Sequence, residues 1–391
     1  MIKNNYTCGI DIGTQTTKVV VLGFDKNKKE TIIVTTGMAE TNGMRFGYVT
    51  NVDAVAESVR KAARQAENVL GIKIRRAYLS IGGINLNSMV STGSVIISKA
   101  DQEITNLDVN KVIANSEDNL DLVNRKIIQS IPLNYKLDGK EIYAKPEGLH
   151  GIKLEVKTLF ITCLKQNIED LITAVALAKI EVEEIGAGPI ISGNILLNNK
   201  QKIAGCVLVD IGAETVTSTV FENNLPINVS VFPIGSIDIT KDIALGLKIS
   251  LDEAESIKMG SVIGGDYSKK KVDEIIEARL GDIFELVGNQ LKRLKRNELL
   301  PAGIVMTGGG SAVKNIEDIA KNLLKLPAKV GPFDYSLNNK YKIRDASWYT
   351  AVGLALSSTD DFSGDESSEN SGSNLKEVKS FFKSIFSQLL P

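Results

Sequence analysis

The stretch CGIDIGTQTTKVVV, residues 8–21, decides how the chain is interpreted. An apolar run ends at Asp11, a glycine and four small polar residues follow, and three valines continue as a second extended segment. Apolar and β-branched residues on both sides of a polar, glycine-containing turn predict two strands joined by a tight hairpin. Such a turn is either an ordinary hairpin or one that holds phosphate, with Asp11 as a metal-binding carboxylate at its edge.

A second copy of this pattern lies in the middle of the chain, in GCVLVDIGAETVTSTVF at 205–221. When Asp210 is aligned with Asp11, Gly212 falls on Gly13, and apolar runs flank both turns. This internal repeat predicts two copies of one α/β design, each opening with a strand–turn–strand unit.

The two turns have the chemistry of a nucleotide site. Phosphate needs backbone N–H groups and close approach to the chain, which glycine permits because it has no Cβ. Carboxylates suit hydrated Mg²⁺, which combines carboxylate, water and phosphate oxygens. We therefore expect Asp11 and Asp210 to hold Mg²⁺ through water. The candidate phosphate-binding residues are Gly13, Thr14, Gln15, Thr16 and Lys18 in the first turn and Gly212, Ala213, Glu214 and Thr215 in the second.

A third signal is GIVMTGGGSAVKNIEDIAKNLL at 303–324, where an apolar strand meets three glycines and then an amphipathic helix. A helix N-terminus favours negative charge, so this turn is expected to take the sugar and α-phosphate. Neither a P-loop motif nor a dinucleotide-binding glycine motif occurs in the chain. The residues expected to line the nucleoside here are Gly308, Gly309, Gly310 and Ser311.

Composition excludes several other classes of function. The 391 residues are 43% hydrophobic and 24% charged with a net charge of −1, which is ordinary for a globular protein and argues against nucleic-acid binding. The single histidine, His150, gives little basis for a His-based metal site or triad. No signal peptide or membrane-spanning run is apparent, so we expect a cytoplasmic body. The cysteines, expected to be reduced core residues, are Cys8, Cys163 and Cys206.

The order of two phosphate hairpins and a glycine turn resembles the superfamily of actin, sugar kinases and chaperone ATPases. More narrowly, the chain is similar to the FtsA family of bacterial actin-like cell-division proteins, and the similarity extends well beyond the nucleotide motifs. The resemblance implies a duplicated actin-like α/β ATPase fold with an inserted α+β subdomain in the first half. The matching stretches include YVTNVDAVAESVRKAARQAENVLGI, YLSIGG, IIQSIPLNYKLDG, GLHGIKLEV and VFPIGSIDITKDIALGLKISLDEAESIK.

The resemblance also implies ligands and partners. It implies ATP and Mg²⁺ as cofactors, with Glu255 and Lys258 contacting ribose or base, although these two residues alternatively form a solvated helix face. It implies self-assembly into filaments and a place on the cytoplasmic face of the membrane at the septum. The implied partners are other division proteins and the C-terminal peptide of FtsZ, which would dock within 234–300 near the basic stretch at 292–298.

One departure from the family pattern concerns the second turn. The family often reads Asp-x-Gly-Gly-Gly-Thr there, whereas this chain reads DIGAET, with Ala213 and Glu214 in place of two glycines. Glu214 is a candidate catalytic base or metal ligand, or alternatively faces solvent. ATP binding is expected, and hydrolysis, at most weak, is left open.

The end of the chain predicts a membrane anchor. Residues 357–373 hold seven serines and five acids and predict a flexible linker. Residues 374–391 carry apolar side chains at helical spacing with interspersed lysines, which is typical of a helix on an anionic bilayer. Alternatively, this helix packs on the protein itself or on a partner. The predicted membrane-facing residues are Leu375, Val378, Phe381, Phe382, Ile385, Phe386, Leu389 and Leu390.

These signals divide the chain into subdomains. Rival functions are a small-molecule kinase of the same superfamily, a chaperone ATPase and an actin-like scaffold of type IV pilus assembly. The predicted units are 1–83 with 163–193 and 346–356 as the first actin-like subdomain, 84–162 as the insertion, 194–233 with 301–345 as the second actin-like subdomain, 234–300 as the smaller subdomain of the second half, 357–373 as the linker and 374–391 as the amphipathic helix.

Overall fold

The structure is a computed structural model, and it describes residues 6–25, 30–260, 268–331 and 346–357. The predictions for the linker beyond Ser357 and for the helix at 374–391 lie outside these residues. Among the described residues, no helix combines the length and the apolar composition that crossing a bilayer requires.

The first half of the chain forms a mixed sheet, interrupted by a second, smaller one. Its elements in chain order are β1 (Tyr6–Ile12), β2 (Thr16–Asp25), β3 (Glu30–Glu40), β4 (Met44–Arg45), β5 (Tyr48–Val49), α1 (Val52–Leu70), β6 (Arg76–Ile81), β7 (Asn87–Ile96), α2 (Asn106–Asp118), β8 (Arg125–Leu137), β9 (Lys140–Ile142), β10 (Lys153–Leu164), α3 (Lys165–Leu177), β11 (Glu181–Ala187) and α4 (Gly188–Leu196).

The main sheet of this half has the strand order β11–β6–β1–β2–β3, with α1 and α3 packed together beside it. Helix α1 has apolar residues at helical spacing. Its N-terminus is capped by Asn51, whose side chain accepts a hydrogen bond from Ala54 N, and it ends at Gly71 with φ of 74°. Its buried face is small and apolar, from Val55 to Ala66, which lets it lie close to the sheet.

The inserted domain has its own sheet, β7–β10–β8–β9, with α2 packed on β7 and β10. A separate core of Ile104, Val109, Val112, Leu154 and neighbouring residues holds these elements together. The mixed strand and helix content of this segment was expected from the sequence. Strand β10 then leads into α3 and returns the chain to the main sheet.

The second half repeats the design of the first. Its sheet order is β14–β13–β12–β15–β16, and an apolar core lies between this sheet and the first one. The remaining elements are α5 (Asn199–Ala204), β12 (Cys206–Ile211), β13 (Val216–Glu222), β14 (Leu225–Phe232), α6 (Ser236–Leu247), α7 (Leu251–Lys258), α8 (Lys269–Arg293), β15 (Ile304–Thr307), α9 (Ile316–Leu324), β16 (Ala328–Val330) and α10 (Tyr349–Ser357).

The predicted repeat is confirmed in the strand register. Asp11 pairs with Lys18 across the β1–β2 hairpin, and Asp210 pairs with Thr217 at the equivalent position of the β12–β13 hairpin. In both halves the first strand also runs parallel to a later one, β6 or β15. The three cysteines are buried free thiols, as expected. The residue boundaries of the actin-like subdomains stay predictions.

Candidate functional site

A cleft of about 410 Å³ lies where the two hairpin turns meet. The turns are closed by the same hydrogen bond, from Gly13 N to the Thr16 carbonyl at 3.0 Å and from Gly212 N to the Thr215 carbonyl at 2.9 Å. Residues from both halves therefore line one cavity. The predicted site residues that line it are Asp11, Gly13, Thr14, Gln15, Thr16, Lys18, Asp210, Gly212, Ala213, Thr215, Glu255, Lys258, Gly308 and Gly309.

The carboxyl groups of Asp11 and Asp210 act on one another electrostatically. Burial raises the pKa of Asp11, while Lys18 and a 2.5 Å hydrogen bond from Ser80 Oγ oppose that rise. The pKa of Asp210 is raised to about 6, first by burial and then by the Asp11 charge. A bound cation would oppose both of these rises, because it stabilises the ionised form of each carboxyl group.

Lys18 lies between the cleft and the single tryptophan of the chain. Its side chain is buried at 7% exposure, and its Nζ lies 5.9 Å from the centroid of the Trp348 ring. The ammonium group is thus held over an aromatic face while it faces the two carboxylates.

Gly308 is the glycine of the third turn that the site requires most strictly. Its φ is +84°, and a Cβ at this position would lie 2.2 Å from Asp210 Oδ1. A side chain here would displace the carboxylate, so the absence of one keeps Asp210 in the cleft wall.

Glu255 and Lys258 form an ion pair at the end of α7, in which Lys258 is buried and Glu255 is partly exposed. Lys258 Nζ donates to Glu255 Oε2 at 2.7 Å, to Thr240 Oγ1 at 2.9 Å and to the Ser236 carbonyl at 3.2 Å. Because Lys258 is only 7% exposed, the alternative of a solvated helix face is wrong for this residue.

Two of the predicted nucleoside residues lie behind the cleft wall. Gly310 packs against Ile211, and the Ser311 hydroxyl donates to the Gly308 carbonyl at 2.7 Å. Neither residue lines the cleft. Gly309 and Gly310 belong to a single 3₁₀ turn, Gly309–Ala312, and α9 begins only at Ile316. The expectation that the glycines stand at the N-terminus of this helix is therefore wrong.

Glu214 also differs from its expected placement. It is not part of the cleft lining, and it is buried at 8% exposure rather than facing solvent. Its carboxylate accepts a hydrogen bond from Phe46 N at 2.7 Å and pairs with Arg45 Nε at 3.0 Å. Ile237 N at the start of α6 binds the Ala213 carbonyl at 2.9 Å, which holds the turn in this conformation. A carboxylate held in this way is badly placed to act as a base in the cleft.

Some lining residues were not singled out from the sequence. Ser80 is the last residue but one of β6, which runs parallel to β1, so the two strands bring Ser80 and Asp11 to the same end of the sheet. Thr217 lies opposite Asp210 in the hairpin register. The signal that could have identified both is their position beside a carboxylate on a neighbouring strand.

The donor set fits a nucleotide with Mg²⁺ better than a metal held by protein alone. The part of the chain that the structure describes contains no group of three or more His, Cys, Asp or Glu side chains able to hold a metal. Mg²⁺ needs fewer when water and phosphate supply the other oxygens, and Asp11 with Asp210 meets that requirement.

The matched hairpins, the shared cleft and the doubled sheet define an actin-like ATPase fold, and solved structures share it. The PilM–PilN type IV pilus biogenesis complex contains a chain with a TM-score of 0.67 and 15% identity, covering 90% of this chain and 98% of that one. MreB5 of Spiroplasma citri, solved bound to ADP, has a TM-score of 0.52 and 11% identity over 90% of this chain and 95% of its own. At these identities the likeness shows the fold alone.

Sequence comparison gives the family. The profile of Cell division protein FtsA matches residues 207–353, and the profile of the SHS2 domain inserted in FtsA matches residues 83–162. Cell division protein FtsA of Bacillus subtilis (strain 168) is 30% identical over 375 residues, which cover 90% of this chain and 83% of the relative. The chain belongs to the FtsA family of cell-division proteins, and its insertion is the SHS2 domain of that family.

Proposed function

We propose that this chain binds Mg²⁺–ATP in the cleft and acts as an actin-like division protein, which polymerises and tethers FtsZ filaments to the cytoplasmic membrane at the septum. The proposal that the cleft binds nucleotide rests on one observation, the position of Asp11 and Asp210 in the same cleft. They belong to matched hairpins from different halves, yet they line one cavity and influence each other's charge.

Each wall of the cleft has a distinct role in this proposal. The turns at Gly13 and Gly212 let the phosphates approach the backbone, and the neighbouring threonine hydroxyls donate hydrogen bonds. Lys18 supplies positive charge, while Asp11 and Asp210 hold Mg²⁺ through water. When bound, the ion neutralises phosphate charge that the carboxylates would otherwise repel.

The nucleoside end of the cleft is formed by α7 and the third turn. Glu255 and Lys258 are proposed to contact ribose or base, and the backbone of Gly308 and Gly309 lies beside the sugar. The hydrogen bonds of Lys258 to Ser236 and Thr240 fix its side chain before any ligand binds.

The proposal makes nucleotide binding, rather than turnover, the main task of the cleft. A small-molecule kinase of this superfamily would need a base that faces its substrate. The candidate for that role, Glu214, is engaged by Arg45 and Phe46. This contact supports a switch-like use of ATP with at most weak hydrolysis.

The membrane part of the proposal comes from the sequence of the tail. The apolar stripe of 374–391, with Lys376, Lys379 and Lys383 beside it, suits an anionic bilayer surface. Each helix binds reversibly, and polymerisation multiplies the attachment through avidity. The FtsZ peptide is proposed to dock within 234–300, where the basic stretch at 292–298 would steer an acidic peptide.

Two measurements on the full chain test these parts. Because Trp348 is the single tryptophan and lies beside Lys18, its fluorescence is expected to change on titration with Mg²⁺–ATP. An unchanged signal, together with no heat in calorimetry, would contradict the nucleotide site. In a pelleting assay the chain is expected to sediment with anionic liposomes and to carry an FtsZ C-terminal peptide with it. Failure to sediment would contradict the anchor, and peptide left in the supernatant would contradict the tether.

A further inference from the structure

The turn of the β4–β5 hairpin contacts three separate parts of the molecule through its backbone. Phe46 N–H donates to the Glu214 carboxylate at 2.7 Å, and the Phe46 carbonyl accepts from Ile84 N at 3.0 Å. The next residue, Gly47, donates from its N–H to Thr14 Oγ1 at 3.0 Å. One turn of two residues thus links both phosphate-binding turns to the start of the inserted domain.

The backbone of this turn is unusual. Phe46 has φ of +50° and Gly47 has φ of +74°, as a two-residue type I′ hairpin requires. A phenylalanine rarely adopts this conformation, and such strain persists only where the surroundings fix it. Gly83 is so near that a Cβ on Gly47 would lie 2.4 Å from its Cα. Displacement of the turn therefore displaces the start of the inserted domain at Gly83 and Ile84.

Glu214 crosses from one half of the chain to the other to fix this turn. Its bond to Phe46 N is charge-assisted and part-buried, with Glu214 only 8% exposed. The pair with Arg45 is weaker, since the Arg45 side chain is 59% exposed. We call these two interactions of Glu214 the cross-cleft contact.

The inserted domain also contacts the second half directly, four residues after Ile84. Ser88 Oγ on β7 donates to the Val229 carbonyl on β14 at 2.8 Å and accepts from Val229 N at 2.9 Å. The domain is consequently held to the second half directly through Ser88 and indirectly through the cross-cleft contact. A rotation of the inserted domain must disturb two contacts together: the hydrogen bond from Ile84 N to the Phe46 carbonyl and the pair of hydrogen bonds between Ser88 and Val229.

We propose that Glu214 is a positioning residue, which sets the orientation of the inserted domain through the peptide groups of Phe46 and so passes the state of the cleft to that domain. The connection to ATP rests on the proposed function above. The mechanical link from Glu214 to the inserted domain does not, because it consists only of contacts between residues of this chain.

The test is amide hydrogen exchange at single-residue resolution on the full chain without nucleotide. In Glu214→Ala, we expect exchange at Phe46, Ile84 and Val229 to accelerate by roughly tenfold or more, the effect of losing a charge-assisted hydrogen bond. The amide of Phe284, in the core of α8, should be unchanged. Acceleration confined to Phe46, or acceleration nowhere, would overturn the proposal.

Two matched variants separate this link from general effects. Phe46→Asn keeps the backbone N–H and carbonyl and should leave exchange at Ile84 and Val229 unchanged. Glu222→Ala removes an ion pair with Arg296 inside the second half and should also leave them unchanged. Acceleration in either variant equal to that of Glu214→Ala would refute the link.

A last variant covers the case in which Glu214→Ala also accelerates amide exchange at Phe284 and therefore acts through global unfolding. Glu214→Gln keeps an oxygen acceptor but loses the charge, and it should accelerate Ile84 and Val229 by a smaller factor with Phe284 unchanged. No acceleration would reject the proposal. Failure of the chain to bind Mg²⁺–ATP in calorimetry would contradict the proposed function while these nucleotide-free results stand.

Discussion

Gly308 lies directly against the carboxylate of Asp210, so close that a Cβ on the glycine would stand 2.2 Å from Oδ1. The backbone after β15 therefore forms the wall on which the carboxylate rests. The φ of +84° at Gly308 adds a second reason for glycine at this position. Gly308 therefore determines both the position of the Asp210 carboxylate and the local conformation of the backbone.

Replacing Gly308 by alanine is expected to harm both stability and ligand binding. Gly308→Ala should lower the free energy of unfolding by about 1–3 kcal/mol because of the left-handed backbone and the clash, and it should weaken ATP binding by displacing Asp210. Denaturant unfolding and calorimetry measure the two effects.

The neighbouring glycine provides a matched control for this variant. A Cβ on Gly309 meets nothing within 4 Å, so Gly309→Ala should change stability by less than about 0.5 kcal/mol. Equal losses in the two variants would show that the contact between Gly308 and Asp210 is not the cause.

Asp210→Asn is expected to reduce the Mg²⁺ dependence of ATP binding. The wild type should bind ATP at least about tenfold more tightly with Mg²⁺ than with EDTA, because the ion offsets repulsion between carboxylates and phosphates. The variant keeps Asp11 but removes one of the two charges, so its affinities in the two conditions should differ by a clearly smaller factor. Calorimetric titrations of each protein with and without EDTA decide the matter.

The control for this charge removal is Asp282→Asn. Asp282 pairs with Arg279 on the surface of α8, away from the cleft, so its variant should keep the wild-type response to Mg²⁺. A full Mg²⁺ response in Asp210→Asn would rule out a metal role for that residue.

The parts of the site that could be predicted from the sequence are local. The hairpin turn at Gly13 is specified by a strand, a carboxylate and a glycine turn within a dozen residues, and the repeat at Asp210 fixes the partner hairpin in the same register. Helix α1 was predictable for the same reason, since the apolar spacing and Gly71 determine it without the rest of the fold.

What could not be predicted depends on residues far apart in the chain. Glu214 binds a hairpin 168 residues away, and no feature of DIGAET indicates that partner. The three glycines at 308–310 look alike in sequence, yet one supports Asp210, one is open and one packs on Ile211. Lys258 is buried where it binds Ser236 and Thr240 on α6. The residues around Lys258 in the sequence do not indicate that contact.

Glu184 predicts a pH dependence of stability. Burial, and then the neighbouring Glu183 charge, raises the pKa of Glu184 from its ordinary 4.5 to about 7. A raised carboxyl pKa means that the protonated form is favoured in the folded state. The contribution to stability is therefore complete below about pH 4.5 and is lost as the pH rises through about 7.

The variant that tests this is Glu184→Gln, which stays neutral at every pH. At pH 8 it should be more stable than wild type by about 1–2 kcal/mol, after allowance for partial exposure, and the difference should vanish near pH 4. Chemical denaturation across this range measures the effect. Glu181→Gln, an exposed change on the same strand, should follow the wild-type profile, and a constant offset between Glu184→Gln and wild type would contradict the assignment.

The amphipathic helix predicted at 374–391 can be tested from the sequence alone. Deleting 374–391, or replacing Phe381 and Phe382 by glutamate, should move the chain from the pellet to the supernatant in sedimentation with anionic liposomes. The deletion removes the whole apolar stripe, whose gross burial is worth roughly 8 kcal/mol at half the usual side-chain value, and the double change puts charge into its centre.

Phe362→Glu, within the acidic linker, adds the same charge outside the stripe and should leave sedimentation unchanged. If all these proteins sediment alike, the attachment lies elsewhere in the chain. If Phe362→Glu alone releases the chain, the linker and not the helix makes the contact.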